Sequence, residues 1–100
     1  MKIVALCGSM KFENEMKRIA FALEMKYNMC VLRCVYNEDK LKLGAYEILA
    51  LNSAHFRKIE ISDAVYVVDI NGYIGDQVKK EIALAESLDK EVIFHTDFLE

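Results

Sequence analysis

The feature that most constrains this chain is the alternation of short apolar runs with segments of helical periodicity. The first run, Lys2 to Cys7, holds Ile3-Val4-Ala5-Leu6 without a polar break and stops at Gly8-Ser9. That is the pattern of a strand covered on both faces. Glu13 to Tyr27 then places Met16, Ile19, Ala20, Leu23 and Tyr27 on one helical face, with Glu15, Lys17, Arg18 and Lys26 elsewhere and Asn28 as a stop. Cys30 to Tyr36 reads as the second strand, closed by a turn at Asn37-Glu38-Asp39. Lys40 to Ser62 keeps a helical period through Leu41, Ala45, Ile48, Leu49, Asn52, Phe56 and Ile59. This predicts one long helix or two abutting ones, with Gly44 as the place for a break. Ala64 to Asp69 is the clearest strand. A loop with two glycines, Ile70 to Gly75, leads into a helix over Asp76 to Leu88, with Val78, Ile82, Ala85 and Leu88 inward. Glu91 to His95 reads as the last strand.

Strands and helices in strict alternation predict an α/β fold built on a parallel sheet with right-handed crossovers. The expected architecture is a flavodoxin/Rossmann-like three-layer fold on a small four-stranded parallel sheet, order 2-1-3-4, occupying residues 1–100 as a single domain. Such sheets bind ligands outside the carboxyl ends of their strands, where the strand order reverses. Here the switch falls between the first and third strands. The residues it brings forward are Gly8-Ser9-Met10, Tyr36-Asn37, Asp69 to Gly75 and His95-Thr96.

Composition narrows the partners. With 54% hydrophobic and 29% charged residues the chain is that of a folded globule. A net charge of -3 argues against a nucleic-acid polymer as partner, which needs a basic face. No apolar run approaches the ~18 residues of a membrane span, and the apolar start ends at a glycine turn instead of a cleavage site, so neither a membrane nor export is expected. Cys7, Cys30 and Cys34 form no CxxC pair and stand near no histidine pair at zinc spacing, so no metal and no cofactor are expected. On one strand Cys30 and Cys34 would lie about 13 Å apart, too far for a disulfide. They read, with Cys7, as free thiols of a cytoplasmic protein. A chain this short buries roughly 60–65% of its unfolded surface, and the apolar surplus of the 40–62 segment adds to the expectation of a homo-oligomer.

Three groups of residues at the switch point can carry chemistry. Gly8 lets the backbone approach a ligand and Ser9 adds a hydroxyl beside exposed amides, an arrangement suited to a phosphate or a sugar but equally to a plain turn. Asn71-Gly72-Tyr73-Ile74-Gly75 can lie flat against a planar ligand. Glu81 falls in the second turn of the following helix, on the side of Val78, Ile82 and Ala85 more than that of Lys79, so full exposure is not its natural setting. His55 reads as a surface or capped histidine of an amphipathic helix, His95 as a rim residue, and Tyr36 and Tyr73 as packing or stacking groups.

The chain resembles the nucleoside 2-deoxyribosyltransferase-like superfamily, which includes 2'-deoxynucleoside 5'-phosphate N-hydrolases. The likeness rests on Cys7-Gly8-Ser9, on His55-Phe56-Arg57-Lys58-Ile59 ahead of Ser62-Asp63-Ala64-Val65, and on Gly72-Tyr73-Ile74-Gly75 followed by Glu81-Ile82-Ala83-Leu84-Ala85 and Lys90-Glu91-Val92. It implies a nucleoside or nucleotide N-glycosidic bond enzyme, a deoxyribosyltransferase or an N-hydrolase, with Glu81 as catalytic nucleophile. Gly8, Ser9, Met10, Asp69, Asn71, Gly72, Tyr73, Gly75 and Gln77 would bind the substrate. The chain departs from the family in having Ala5 and Leu6 where a tyrosine is usual, His55 where an aspartate is frequent, and Gly75 where the enzymes carry aspartate or serine. The alternative is a noncatalytic nucleotide-binding or sensor module on the same fold.

Overall fold

The computed structural model describes residues 1–98 of the protein. The strands are β1 (Lys2–Gly8), β2 (Met29–Leu32), β3 (Ala64–Val68) and β4 (Glu91–Phe94), and the helices are α1 (Glu13–Lys26), α2 (Ala45–Ile61), α3 (Asp76–Ser87) and the one-turn α4 (His95–Phe98). All four strands are parallel and lie in the order β2-β1-β3-β4. The register sets Val4 against Val31 and Ala64, Leu6 against Tyr66, and Val65 against Val92. This is the flavodoxin/Rossmann-like three-layer arrangement, with the order reversing between β1 and β3.

Alternation along the strands divides the core in two. Val4 and Leu6 of β1, with Ala64, Tyr66 and Val68 of β3, face α1, which supplies Met16, Ile19, Ala20 and Leu23. Ala5, Cys7, Val65 and Val67 point the other way and meet Ile59 of α2 and Val78 and Ala85 of α3. The first connection runs to one side of β1 and the later ones to the other. Crossovers of one handedness therefore put α1 on one face and α2 with α3 on the opposite face.

Three of the boundaries that differ from the sequence expectation bear on the end of the sheet. The second strand ends at Leu32 instead of running to Tyr36. Beyond it the chain turns inward: the Cys34 thiol donates to the Leu6 carbonyl at 3.4 Å, and Tyr36 tucks into the α1 side of the core. The 40–62 segment is a single helix that begins only after Gly44. Gly44 is extended there, and its N–H donates to Glu47 Oε1 at 2.7 Å. That return from the third helical residue satisfies an otherwise orphaned amide, so Gly44 starts the helix and does not break one. The last strand stops at Phe94, and His95 opens α4. Among the described residues no helix is long and apolar enough to cross a membrane.

Candidate functional site

The turn after β1 lies at the switch point. Ser9 is extended and its hydroxyl accepts from the Lys11 amide at 3.3 Å, opening a short 3-10 turn ahead of α1. Gly8 is required there by packing. A Cβ at this position would stand 2.6 Å from Met16 Sδ and 3.2 Å from Val68 Cβ. Any side chain here would have to displace Met16 or press on Val68, so glycine lets α1 settle this close to the end of the sheet at no cost.

Beside this turn, on the α2–α3 face of the sheet, a cavity of about 300 Å³ opens at the carboxyl end of β1. Its walls are the Gly8–Met10 turn, Cys34 and Val35, one side of α2 from Leu51 to Lys58, and the start of α3 from Gly75 to Glu81. Six of the ten residues assigned to the site from the sequence meet in it: Gly8, Ser9, Met10, Gly75, Gln77 and Glu81.

The rest of the substrate-binding set is elsewhere. Asp69 turns away and accepts from the Thr96 amide at 3.0 Å and from the Thr96 hydroxyl at 2.8 Å. Both oxygens anchor the first turn of α4, and Asp69 is not part of the cavity wall. Asn71 and Gly72 take left-handed conformations in a tight turn away from the cavity wall. Tyr73 packs edge-on to Phe12, with Lys11 Nζ 3.4 Å from its ring centre. The loop therefore contributes Gly75 to the cavity and directs its aromatic ring to the turn after β1. The other candidates at the sheet's end are also engaged. Asn37 bonds the Leu41 backbone in both directions, and His95 Nδ1 meets the Tyr66 hydroxyl at 2.7 Å. The Tyr36 hydroxyl is buried without a hydrogen-bond partner, and desolvation pushes its pKa up to about 12.

At the base of the cavity stands Glu81, buried at 6% exposure in the second turn of α3. His55, 8% exposed, comes from the middle of α2, and Cys7, fully buried, from β1. His55 Nε2 lies 3.7 Å from Cys7 Sγ and 3.8 Å from Glu81 Oε1. Gln77, one turn ahead on α3, reaches Glu81 Oε2 at 3.5 Å. The expectation that His55 sits on a surface is corrected here: its position, on the face that buries Ile59 four residues on, carries it into the core.

Burial dominates the electrostatics. It raises the pKa of Glu81 above the ordinary carboxylate value, and hydrogen bonds from Cys7 and Gln77 oppose the rise. It lowers His55 to about 4, assisted by the Lys58 charge and opposed by the Leu6 carbonyl. The imidazole is therefore neutral at pH 7, and its 3.8 Å approach to Glu81 is not an ion pair despite the short separation. The Cys7 thiol is raised well above its ordinary value by burial and then by the Glu81 charge, so it stays protonated. Cys34, at the cavity wall, is pushed up to about 11, mainly by burial.

The sequence reading missed the contribution of α2. Leu51, Asn52, His55 and Lys58 follow one another at helical spacing, and Asn52 and His55 stand seven and four residues ahead of the buried Ile59 on the same face. Two polar side chains on the inward face of a helix were the available signal, since buried polar groups need a purpose or a partner. A scan against protein-family models finds no match for the chain, and neither does a search of the curated proteins.

Proposed function

We propose that the protein acts on the N-glycosidic bond of a nucleoside or nucleotide, with Glu81 as the nucleophile. The observation that carries this reading is a buried carboxylate, with no Lys or Arg paired to it among the described residues, at the base of a cavity whose rim is a glycine turn at the carboxyl end of β1. The cavity's size lies at the small end of ligand pockets, in keeping with a nucleoside. Its apolar wall of Leu51, Ala54 and Val78 suits a planar base, and the Ser9 turn offers a hydroxyl and backbone amides to the sugar or a 5'-phosphate.

In the first step an oxygen of Glu81 bonds to the anomeric carbon as the carbon–nitrogen bond breaks. The electron pair leaves with the base, which takes up a proton from solvent. In the second, water or another base attacks the same carbon and gives up a proton to solvent, and the carboxylate is released with its pair. Gln77, 3.5 Å from Glu81 Oε2, donates a long hydrogen bond that biases the orientation of the carboxylate. A neutral His55 leaves the nucleophile's charge unneutralised. A second copy of the chain as partner belongs to the same reading.

The test is incubation with nucleosides and 5'-nucleotides while free base is followed. Glu81→Gln preserves shape but loses the charged nucleophile, and base release should fall by at least ~100-fold with nucleotide binding retained. Trapping with a 2-fluoro sugar nucleoside should add the sugar's mass at Glu81. A Glu81→Gln protein as active as the wild type would refute the covalent route. A wild type that binds nucleotides without releasing base is a binding module.

A further inference from the structure

We propose that Cys7, His55 and Glu81 form a binding site for a borderline-soft divalent cation of the Zn2+ type, with its remaining coordination position facing the cavity. The proposal is independent of the glycosidic reading and would stand if that reading failed.

The three donors come from three different elements, β1, α2 and α3, and their ligand atoms all lie within 4.8 Å of one another. Ordinary zinc bond lengths of about 2.0–2.3 Å to nitrogen, oxygen and sulfur place tetrahedral ligands about 3.4–3.6 Å apart. The observed 3.7 Å from sulfur to nitrogen and 3.8 Å from nitrogen to oxygen are within a few tenths of that spacing. What remains to close is the approach of Glu81 to Cys7. The long 3.5 Å contact with Gln77 restrains the carboxylate weakly, so a small side-chain rotation suffices.

The donor set selects the ion. One thiol, one imidazole and one carboxylate suit zinc, cobalt and their neighbours, whereas Mg2+ and Ca2+ take oxygen shells. All three side chains are buried, so the surrounding dielectric is low and the ligands are held by the packing of both helices on the sheet. His55 and Glu81 also line the cavity, which gives a fourth ligand, water or a small molecule, a route to the ion. Three protein ligands with a fourth position open to water or a small molecule is the pattern of zinc sites that do chemistry, while structural sites close with four. On binding, the Cys7 sulfur–hydrogen bond breaks, the proton leaves to solvent and the thiolate pair bonds to the cation. Nε2 of His55 donates its lone pair, and Nδ1 carries the ring proton. The cation would occupy the carboxylate assigned above as nucleophile, so the loaded protein would be a blocked form of any enzyme that uses Glu81.

The experiment uses chelator-treated full-length protein titrated with Co2+. The expected result is one cobalt per chain, with tetrahedral ligand-field bands and a thiolate-to-cobalt charge-transfer band, all lost when Zn2+ is added. Mg2+ should leave the spectrum unchanged. Cys7→Ser should abolish the charge-transfer band, and His55→Gln should weaken cobalt binding by about tenfold or more. X-ray absorption of the zinc-loaded wild type needs no variant to fold and should show one sulfur among nitrogen and oxygen ligands. A sulfur-free shell, a wild type without the charge-transfer band, or folded variants that bind as the wild type does would each overturn the site. None of these readouts depends on base release, so failure of the metal site and failure of the glycosidic reading are separate results.

Discussion

Glu81 and His55 are buried side by side, and burial moves their proton affinities in opposite directions. For His55 the folded value is about 4, below the ordinary 6.5 that the unfolded chain retains. The unfolded state then binds more protons between those values, so the stability this group contributes is present above pH 6.5 and is lost as pH falls through about 4. The full difference corresponds to about 3 kcal/mol. In metal-free protein, His55→Gln removes the titration. Denaturant melts should therefore show the wild type losing stability relative to the variant as pH drops from 6.5 towards 4. Parallel curves would mean that His55 does not titrate as its burial dictates. Glu81 has the reverse sign. Its folded pKa is raised, so its favourable contribution exists in acid and is lost as pH rises through that value. Glu81→Gln should consequently melt higher than the wild type at pH 8, with the gap closing in acid. A stabilised but inactive variant is the signature of a carboxylate kept for chemistry at a cost in stability.

At the scale of elements, the close approach of α1 to the end of β1 depends on Gly8. Gly8→Ala must displace Met16, which is fully buried, or push against Val68 Cβ. Overpacking of this kind costs about 1–3 kcal/mol. Urea denaturation should show a loss of that size with an unchanged slope. A neutral substitution would mean that α1 sits farther from the sheet than described. The same position shows what was readable in advance. A glycine closing an apolar run located the turn and the switch point, because strand and helix periods survive as local patterns. The parallel order β2-β1-β3-β4 followed from the alternation of elements. The cavity was half legible: the turn after β1 and the start of α3 are sequence-local features, and Glu81 stood out on an inward face. His55, Lys58, Cys34 and Val35 were not placed, since they reach the cavity only through the way α2 lies across the sheet and the chain turns inward after Leu32. That is tertiary information which no local period carries. Asp69 was misleading for a related reason: a carboxylate at a strand's carboxyl end marks the right rim, but here both its oxygens are turned to Thr96.

For the whole molecule, the radius of gyration of 13.0 Å is that of a compact 100-residue domain. Its exposed apolar surface therefore belongs to a finished fold, not to a loosened one. Much of that surface is on α2. Of its 17 residues only His55 and Ile59 are buried, while Tyr46 is 82% and Leu49 64% exposed, with Ile48 and Leu51 also open. Leu41 and Val35, exposed as well, extend the apolar character ahead of the helix and at the mouth of the cavity. Apolar side chains in such a run on a helix mark an interaction surface, and the symmetric solution for a single gene product is the same helix of a second copy. Leu51 lines the cavity, so a copy docked there would also narrow the cavity's entrance and shield Glu81 from water. Sedimentation velocity at micromolar concentration should give a dimer. Tyr46→Lys combined with Leu49→Lys introduces two desolvated charges into that contact, and both side chains are already too exposed for the fold to depend on them. The double variant should sediment as a folded monomer, with circular dichroism unchanged. A monomeric wild type, or a double variant that still dimerises, would show that α2 is not the surface through which copies meet.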